Sequence, residues 1–230
     1  VSSRYARRNA GEYTRMADYI RKLVTARNGR YMVFFPSYSY MQAVYDIYIN
    51  KYENKVIELS DRDMLNDLAS SVENADTYNI VRQPANMKEA DKECFLELFK
   101  NDNLGNIAGF CVLGGIFSEG IDLRGDSLIG VAIVGTGIPM ICRQRNILRN
   151  YFDAHGRNGY QYAYVYPGMN KVLQAAGRVI RTDSDRGVIL LLDDRFLTKE
   201  YELQYPREWD VIYPSDINRV QECIEDFWEQ

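Results

Sequence analysis

The sequence predicts an α/β fold, a parallel sheet with helices on both faces. Three observations point there. Residues 31–35, 107–113, 129–134 and 187–192 are short apolar runs of the length and composition of buried strands. Longer stretches between them carry apolar residues at helical spacing. Glycine, proline and serine gather where the runs end, and a parallel sheet places its ligands at such carboxyl-end loops.

Composition agrees. Hydrophobic residues make up 46% and charged residues 26% of 230, ordinary for a globular chain. No apolar run approaches the ~18–20 residues of a membrane helix. The chain opens on Val1 without an initiator Met, as expected for a piece of a longer protein. We read residues 1–230 as one domain, with 1–30 a basic helical lead-in and 197–230 a C-terminal wrap and helix. The four cysteines form no Cys-x-x-Cys, and histidine occurs once, at His155. That argues against a zinc or iron–sulfur site and fits reduced thiols in a cytoplasm. The net charge of −4 does not advertise nucleic-acid binding, yet its distribution permits local phosphate binding. Residues 1–30 and the segment from Arg143 to Lys171 are basic; from Asp193 onward the chain turns acidic.

Taken in order, residues 12–27 form a helix, with Tyr13, Met16, Ala17, Ile20, Leu23 and Val24 apolar and Asn28-Gly29 as its stop. The strand at 31–35 ends at Pro36. Ser37-Tyr-Ser-Tyr40 turns into a helix that places Met41, Val44, Tyr45, Tyr48, Ile49 and Tyr52 on one face. Ser37 has two readings, a plain helix cap or a phosphate contact. Residues 55–59 are a short strand and 61–74 a helix. Asn86 caps a further helix along Met87, Ala90, Cys94, Phe95 and Leu98. After the strand at 107–113, four glycines (Gly114, Gly115, Gly120, Gly125) make a loop open to close ligand approach, with Glu119 and Asp122 as fixed carboxylates. Gly135-Thr-Gly-Ile-Pro139 lacks the third glycine of a dinucleotide fingerprint. Residues 140–153 read as a helix with Ile141, Ile147, Leu148, Tyr151 and Phe152 apolar. Residues 162–166 form a short strand or an aromatic packing segment, Pro167-Gly168 closes it, and Asn170 caps the next helix. Residues 187–192 are the cleanest buried strand, and the chain ends in a helix along Val220, Cys223, Ile224 and Phe227.

The chemistry centres on residues 171–181. Read as one helix, this stretch puts Val172, Leu173, Ala176, Val179 and Ile180 on one face. Gln174, Arg178 and Arg181 stack on the other at i, i+4 and i+7. Two guanidiniums and an amide in one stripe can grip a phosphate, since arginine offers a rigid fork of donors. Gly177 inside a helix costs roughly 1 kcal/mol, which suggests a close approach to its backbone. A solvated cationic face is the plainer reading.

Gln174-Ala-Ala-Gly177-Arg178-Val-Ile-Arg181 resembles motif VI of superfamily 2 helicases. Gly115-Ile-Phe-Ser-Glu119-Gly120-Ile121-Asp122 resembles motif V, and Phe34-Phe35-Pro36-Ser37-Tyr38 the motif IV region. Asp193-Asp-Arg195-Phe196 resembles the Asp-x-Arg-Phe element that follows motif VI in the DinG/XPD-like DNA helicases. Four marks in order, over residues 31–196, resemble the second motor domain of that family.

The resemblance implies a RecA-like sheet and an ATP site, with Mg²⁺, shared with an N-terminal motor domain. It makes Gln174, Arg178 and Arg181 catalytic, the two arginines as fingers on the transferred phosphoryl group. Glu119, Gly120, Asp122 and Gly177 would line the nucleotide, and Ser37, Tyr38 and Ser118 would meet single-stranded DNA. No Gly-Lys dipeptide and no Asp-Glu-x-His run occurs, so this chain cannot build a complete ATP site alone. Two alternatives remain: a non-catalytic nucleic-acid or protein-binding module on the same fold, and a free-standing phosphotransferase using the arginine stripe.

Overall fold

A computed structural model describes residues 1–61, 78–101, 103–117, 128–180 and 185–229. Helix α1 (Ala10–Ala26) starts where the Asn9 side chain accepts a hydrogen bond from the Glu12 N–H at 3.0 Å. Strand β1 (Arg30–Phe35) and helix α2 (Tyr38–Lys51) follow, then β2 (Lys55–Ile57) and β3 (Tyr78–Arg82). Next come α3 (Glu89–Lys100), β4 (Asn106–Val112), β5 (Gly130–Val134) and α4 (Arg143–Ala154). A π-helical turn (Gln161–Val165) leads into α5 (Tyr166–Ala176), followed by β6 (Val188–Leu192). A 3₁₀ turn (Asp194–Leu197), α6 (Lys199–Glu202) and α7 (Ile217–Glu229) complete the chain.

The strands form one sheet in the order β2-β3-β4-β1-β5-β6, with every pairing parallel. Its central strand β1 sits between β4 and β5, which is why residues 31–35 read as an unbroken apolar run. Tyr31, Val33 and Phe35 pack under α1, α2 and α7, while Met32 and Phe34 point into the core under α3 and α5. In β4, Gly109 leaves room for two rings: a Cβ there would lie 2.6 Å from Phe95 and 2.8 Å from Phe99. Among the described residues no helix is long and apolar enough to cross a membrane.

Several expectations need correction. Strand β3 was not foreseen, because Asn79 and Arg82 break its apolar pattern although Asn79 is fully buried. Strand β2 stops at Ile57. Asn86 lies in a turn before α3; there the Asp91 carboxylate accepts from the Lys88 N–H at 3.1 Å. The helix expected over 61–74 falls almost wholly outside the described residues. Strand β6 is an edge strand, so its first four residues are only half-buried. Helix α4 starts at Arg143, so Ile141 precedes it, and Ile141, Ile147, Leu148 and Tyr151 are all exposed, because of the helix's residues only Arg145 and Phe152 are half-buried against the domain.

Residues 162–166 are helical, and Asn170 lies within α5 rather than capping it. The start is set earlier, where the Asn158 side chain accepts from the Gln161 N–H at 3.2 Å. Pro167 is tolerated inside this helical run for a definable reason. It has no N–H for the Ala163 carbonyl, and a regular helix would clash with its ring. The π turn widens the backbone there, and Arg145 Nη1 donates to the Ala163 carbonyl at 2.7 Å.

Candidate functional site

Helix α5 runs from one edge of the sheet to the other. It begins at the carboxyl edge, where Gly168 touches the loop after β5. A Cβ on Gly168 would lie 2.6 Å from the Thr136 carbonyl oxygen, and one on Gly137 (φ +64°) 2.6 Å from that of Gly168. Lys171 lies over Gly114, just past the end of β4, where a Cβ would meet the lysine chain at 3.0 Å. Beyond the helix, Val179 fills the niche at Gly187, beside the Ile129 carbonyl and the start of β6, at the amino edge. Gln174, Gly177 and Arg178 therefore belong to the amino-edge end of α5.

They do not form one helical stripe. The helix stops at Ala176, and Gly177 is its cap, with ψ near 1° and its N–H donating to the Leu173 carbonyl at 2.8 Å. The Arg178 and Val179 N–H groups reach back only three residues, to Ala175 and Ala176. The turn drops Val179 into its niche and leaves Ile180 exposed, off the apolar face expected for it. Gln174 is exposed on the last helical turn and Arg178 half-buried on the turn beyond. The i, i+4, i+7 spacing thus breaks at Gly177. Arg181 lies outside the described residues.

The carboxyl edge carries the other candidate residues. Ser37 caps α2, its hydroxyl accepting from the Tyr40 N–H at 3.3 Å, and it also lies 3.2 Å from the Ser39 hydroxyl. Tyr38 opens that helix. Gln83, buried just past β3, donates to the Tyr38 hydroxyl at 2.7 Å and accepts from the Val112 N–H at 3.0 Å. One amide thus ties the ends of β3 and β4 to the loop after β1, beside Gly114 and Gly115. Burial raises the pKa of the Tyr38 hydroxyl above its ordinary value. Nothing in the sequence singled out Gln83; a polar residue directly after an unrecognised strand gives little signal. Ser118, Glu119, Gly120 and Asp122 lie outside the described residues.

A family model for the helicase C-terminal domain matches residues 20–211. The chain belongs to this family. The helicase C-terminal domain is 28% identical over 184 residues to a probable ATP-dependent helicase of Methanocaldococcus jannaschii, covering 76% of this chain and 25% of that protein. It is 31% identical over 201 residues to the ATP-dependent DNA helicase XPD of Sulfolobus acidocaldarius, covering 85% and 30% respectively. It thus spans less than a third of either relative. A solved apo XPD structure shares the fold with a TM-score of 0.62 at 22% identity, over 89% of this chain and 36% of that one. These similarities place the domain with the DinG/XPD-like superfamily 2 helicases and its sheet with the RecA-like folds.

In this helicase C-terminal domain the Asp-x-Arg-Phe element is the centre of a buried clamp. The Asp193 carboxylate accepts from Arg195 Nε at 2.7 Å, from the Ser3 N–H at 2.9 Å and from the Ser3 hydroxyl at 2.5 Å. Burial alone would push the Asp193 carboxyl up. The hydrogen bonds from Arg195 and Ser3, with the Arg195 charge, outweigh it and hold the group below the usual carboxylate range. Ser2 and Ser3 were not foreseen as buried; short polar residues near a chain start carry no periodic signal. The amino-edge niche is also testable. Gly187→Ala would put a Cβ 2.0 Å from Val179 Cγ1 and 2.9 Å from the Ile129 carbonyl oxygen. We expect a loss of about 1–3 kcal/mol in urea unfolding, typical of overpacking; an unchanged midpoint would show that Val179 can leave the niche.

Proposed function

We propose that residues 1–230 form one RecA-like domain that serves as the second motor domain of an ATP-dependent DNA helicase. The observation that carries this reading is the separation of two candidate surfaces on opposite edges of one sheet. At the amino edge Gln174, Gly177 and Arg178, with Arg181 three residues on, would face a nucleotide. The phosphate loop and the magnesium carboxylate would come from an N-terminal motor domain, Mg²⁺ arriving with ATP. Arg178 and Arg181 would then act as fingers, countering charge that builds on the transferred phosphoryl oxygens. Glu119, Gly120 and Asp122, on the stretch between the end of β4 and the start of β5, would link the two sides, their carboxylates and backbone serving the nucleotide, in an intracellular enzyme.

At the carboxyl edge, Ser37, Tyr38 and Ser118 would hold phosphates of single-stranded DNA. Hydroxyl and backbone donors grip phosphate without reading bases, so binding would be independent of sequence and sensitive to salt. Closing of the cleft on ATP and its opening after hydrolysis would then move a strand past this edge.

The test is a Ser37→Ala, Tyr38→Phe double variant in the protein carrying both motor domains. Affinity for oligo-dT should fall roughly tenfold, the loss of one or two hydrogen bonds to a charged group. DNA-stimulated ATPase should fall with it while the basal rate persists. Because losing the Ser37 cap costs about 1 kcal/mol, the melting temperature is measured alongside, and Ser37→Asn serves as a cap-preserving control. Unchanged affinity in a folded double variant would remove the nucleic-acid track from this edge.

A further inference from the structure

The first eight residues form a strap across the carboxyl edge. Its anchor is the clamp at Ser3. Gly135, whose N–H donates to the Leu192 carbonyl at 3.1 Å, has φ +80°, and a Cβ there would come 2.6 Å from the Ser3 hydroxyl. Only glycine leaves that space. The same Cβ would lie 3.9 Å from Pro36, so the anchor abuts the loop that presents Ser37. Ser2 adds bonds to Asp194 and, through its N–H, to Glu12.

Past the anchor the strap turns outward with a definite shape. Arg8 Nε donates to the Ser3 carbonyl at 3.2 Å, and its guanidinium lies 5.0 Å from the Tyr40 ring centre and 5.5 Å from that of Tyr5. Tyr5 is braced by this cation yet remains 87% exposed. Arg7 is exposed beside it, whereas Arg4 is paired with Asp194 at 3.2 Å. The strap itself carries no acidic residue before Glu12.

We propose that Tyr5, with Arg7, extends the single-strand track beyond the Ser37 loop, Tyr5 stacking one base and Arg7 meeting a phosphate. This rests on the carboxyl edge being the nucleic-acid face. An exposed aromatic ring next to cations is the usual platform for sequence-tolerant single-strand binding. Here the ring is held in place before any strand arrives, which lowers the ordering cost of binding.

The test uses the full 230-residue chain and a fluorescein-labelled dT20, read by anisotropy. Tyr5→Ala should weaken binding roughly tenfold, within the range for loss of one base stack, and Tyr5→Trp should restore it. Arg7→Ala should reduce the slope of log K against log salt by about 0.7, the value for one phosphate on a single strand. An oligonucleotide carrying 5-iododeoxyuridine should crosslink to the peptide that contains Tyr5. Unchanged affinity in Tyr5→Ala, with crosslinks only near Ser37 or Gly114, would overturn the strap's role and leave the proposed function standing. A folded chain that binds no dT20 at any salt concentration would overturn both.

Discussion

Replacing Arg178 and Arg181 together with alanine, in the protein with both motor domains, is expected to lower steady-state ATP turnover by about 10³–10⁵-fold. Affinity for single-stranded DNA should hardly change. The expectation comes from where the chain leaves α5. Gly177 ends the helix at the amino edge and Arg178 lies on the turn beyond it, while Ser37 and Tyr38 lie at the carboxyl edge. A cation removed from one edge leaves the donors of the other untouched. Turnover is read by phosphate release at saturating ATP and DNA, affinity by anisotropy with oligo-dT. If DNA affinity collapses while turnover survives, the assignments of the two edges are reversed.

The Asp193→Asn variant should lose about 3–5 kcal/mol in chemical unfolding at neutral pH, the usual consequence of removing one partner from a buried ion pair. Asparagine keeps the shape but cannot balance the Arg195 charge. The acid side gives a second readout. Because Asp193 titrates lower in the folded chain than when unfolded, its contribution is complete above the unfolded value of about 3.9. It is lost as the pH falls through the folded value. The gap between wild type and variant should therefore be constant from pH 5 to 7 and narrow below about pH 4. A gap that stayed constant down to pH 2 would mean that Asp193 is not charged in the folded state.

Much of the sheet was legible because β1, β4 and β5 are covered on both faces, so each reads as an apolar run between turn residues. Strand β3 was hidden by its polar positions, and β6 looked more buried than it is because edge and centre share one composition. Sequence cannot show which neighbour a strand lacks. The candidate site was legible as residue types but not as geometry. Spacing put Gln174, Arg178 and Arg181 on one stripe, and spacing cannot reveal that Val179 leaves the helical path for a niche made by Gly187. Pro167 misled in the opposite direction. Its place inside a helical run depends on a π turn and on Arg145, eighteen residues away from Ala163 in sequence. Ser37 was read both as a cap and as a phosphate contact; the structure shows the cap. The clamp on Ser3 joins residues 190 apart, a separation no local pattern reports.

Helix α5 is fastened at both ends by fit rather than by flexible side chains. At Gly137 and Gly168 backbone meets backbone, and at Gly187 a branched side chain fills a niche. Eleven residues at about 1.5 Å each make a strut roughly 16 Å long that can neither slide nor rotate without breaking one of these seats. A displacement imposed at the Arg178 end would therefore reappear at the Gly137–Gly168 end with little loss. The two edges behave as opposite ends of one lever, so a nucleotide-driven push would reach the far edge as movement of the whole body.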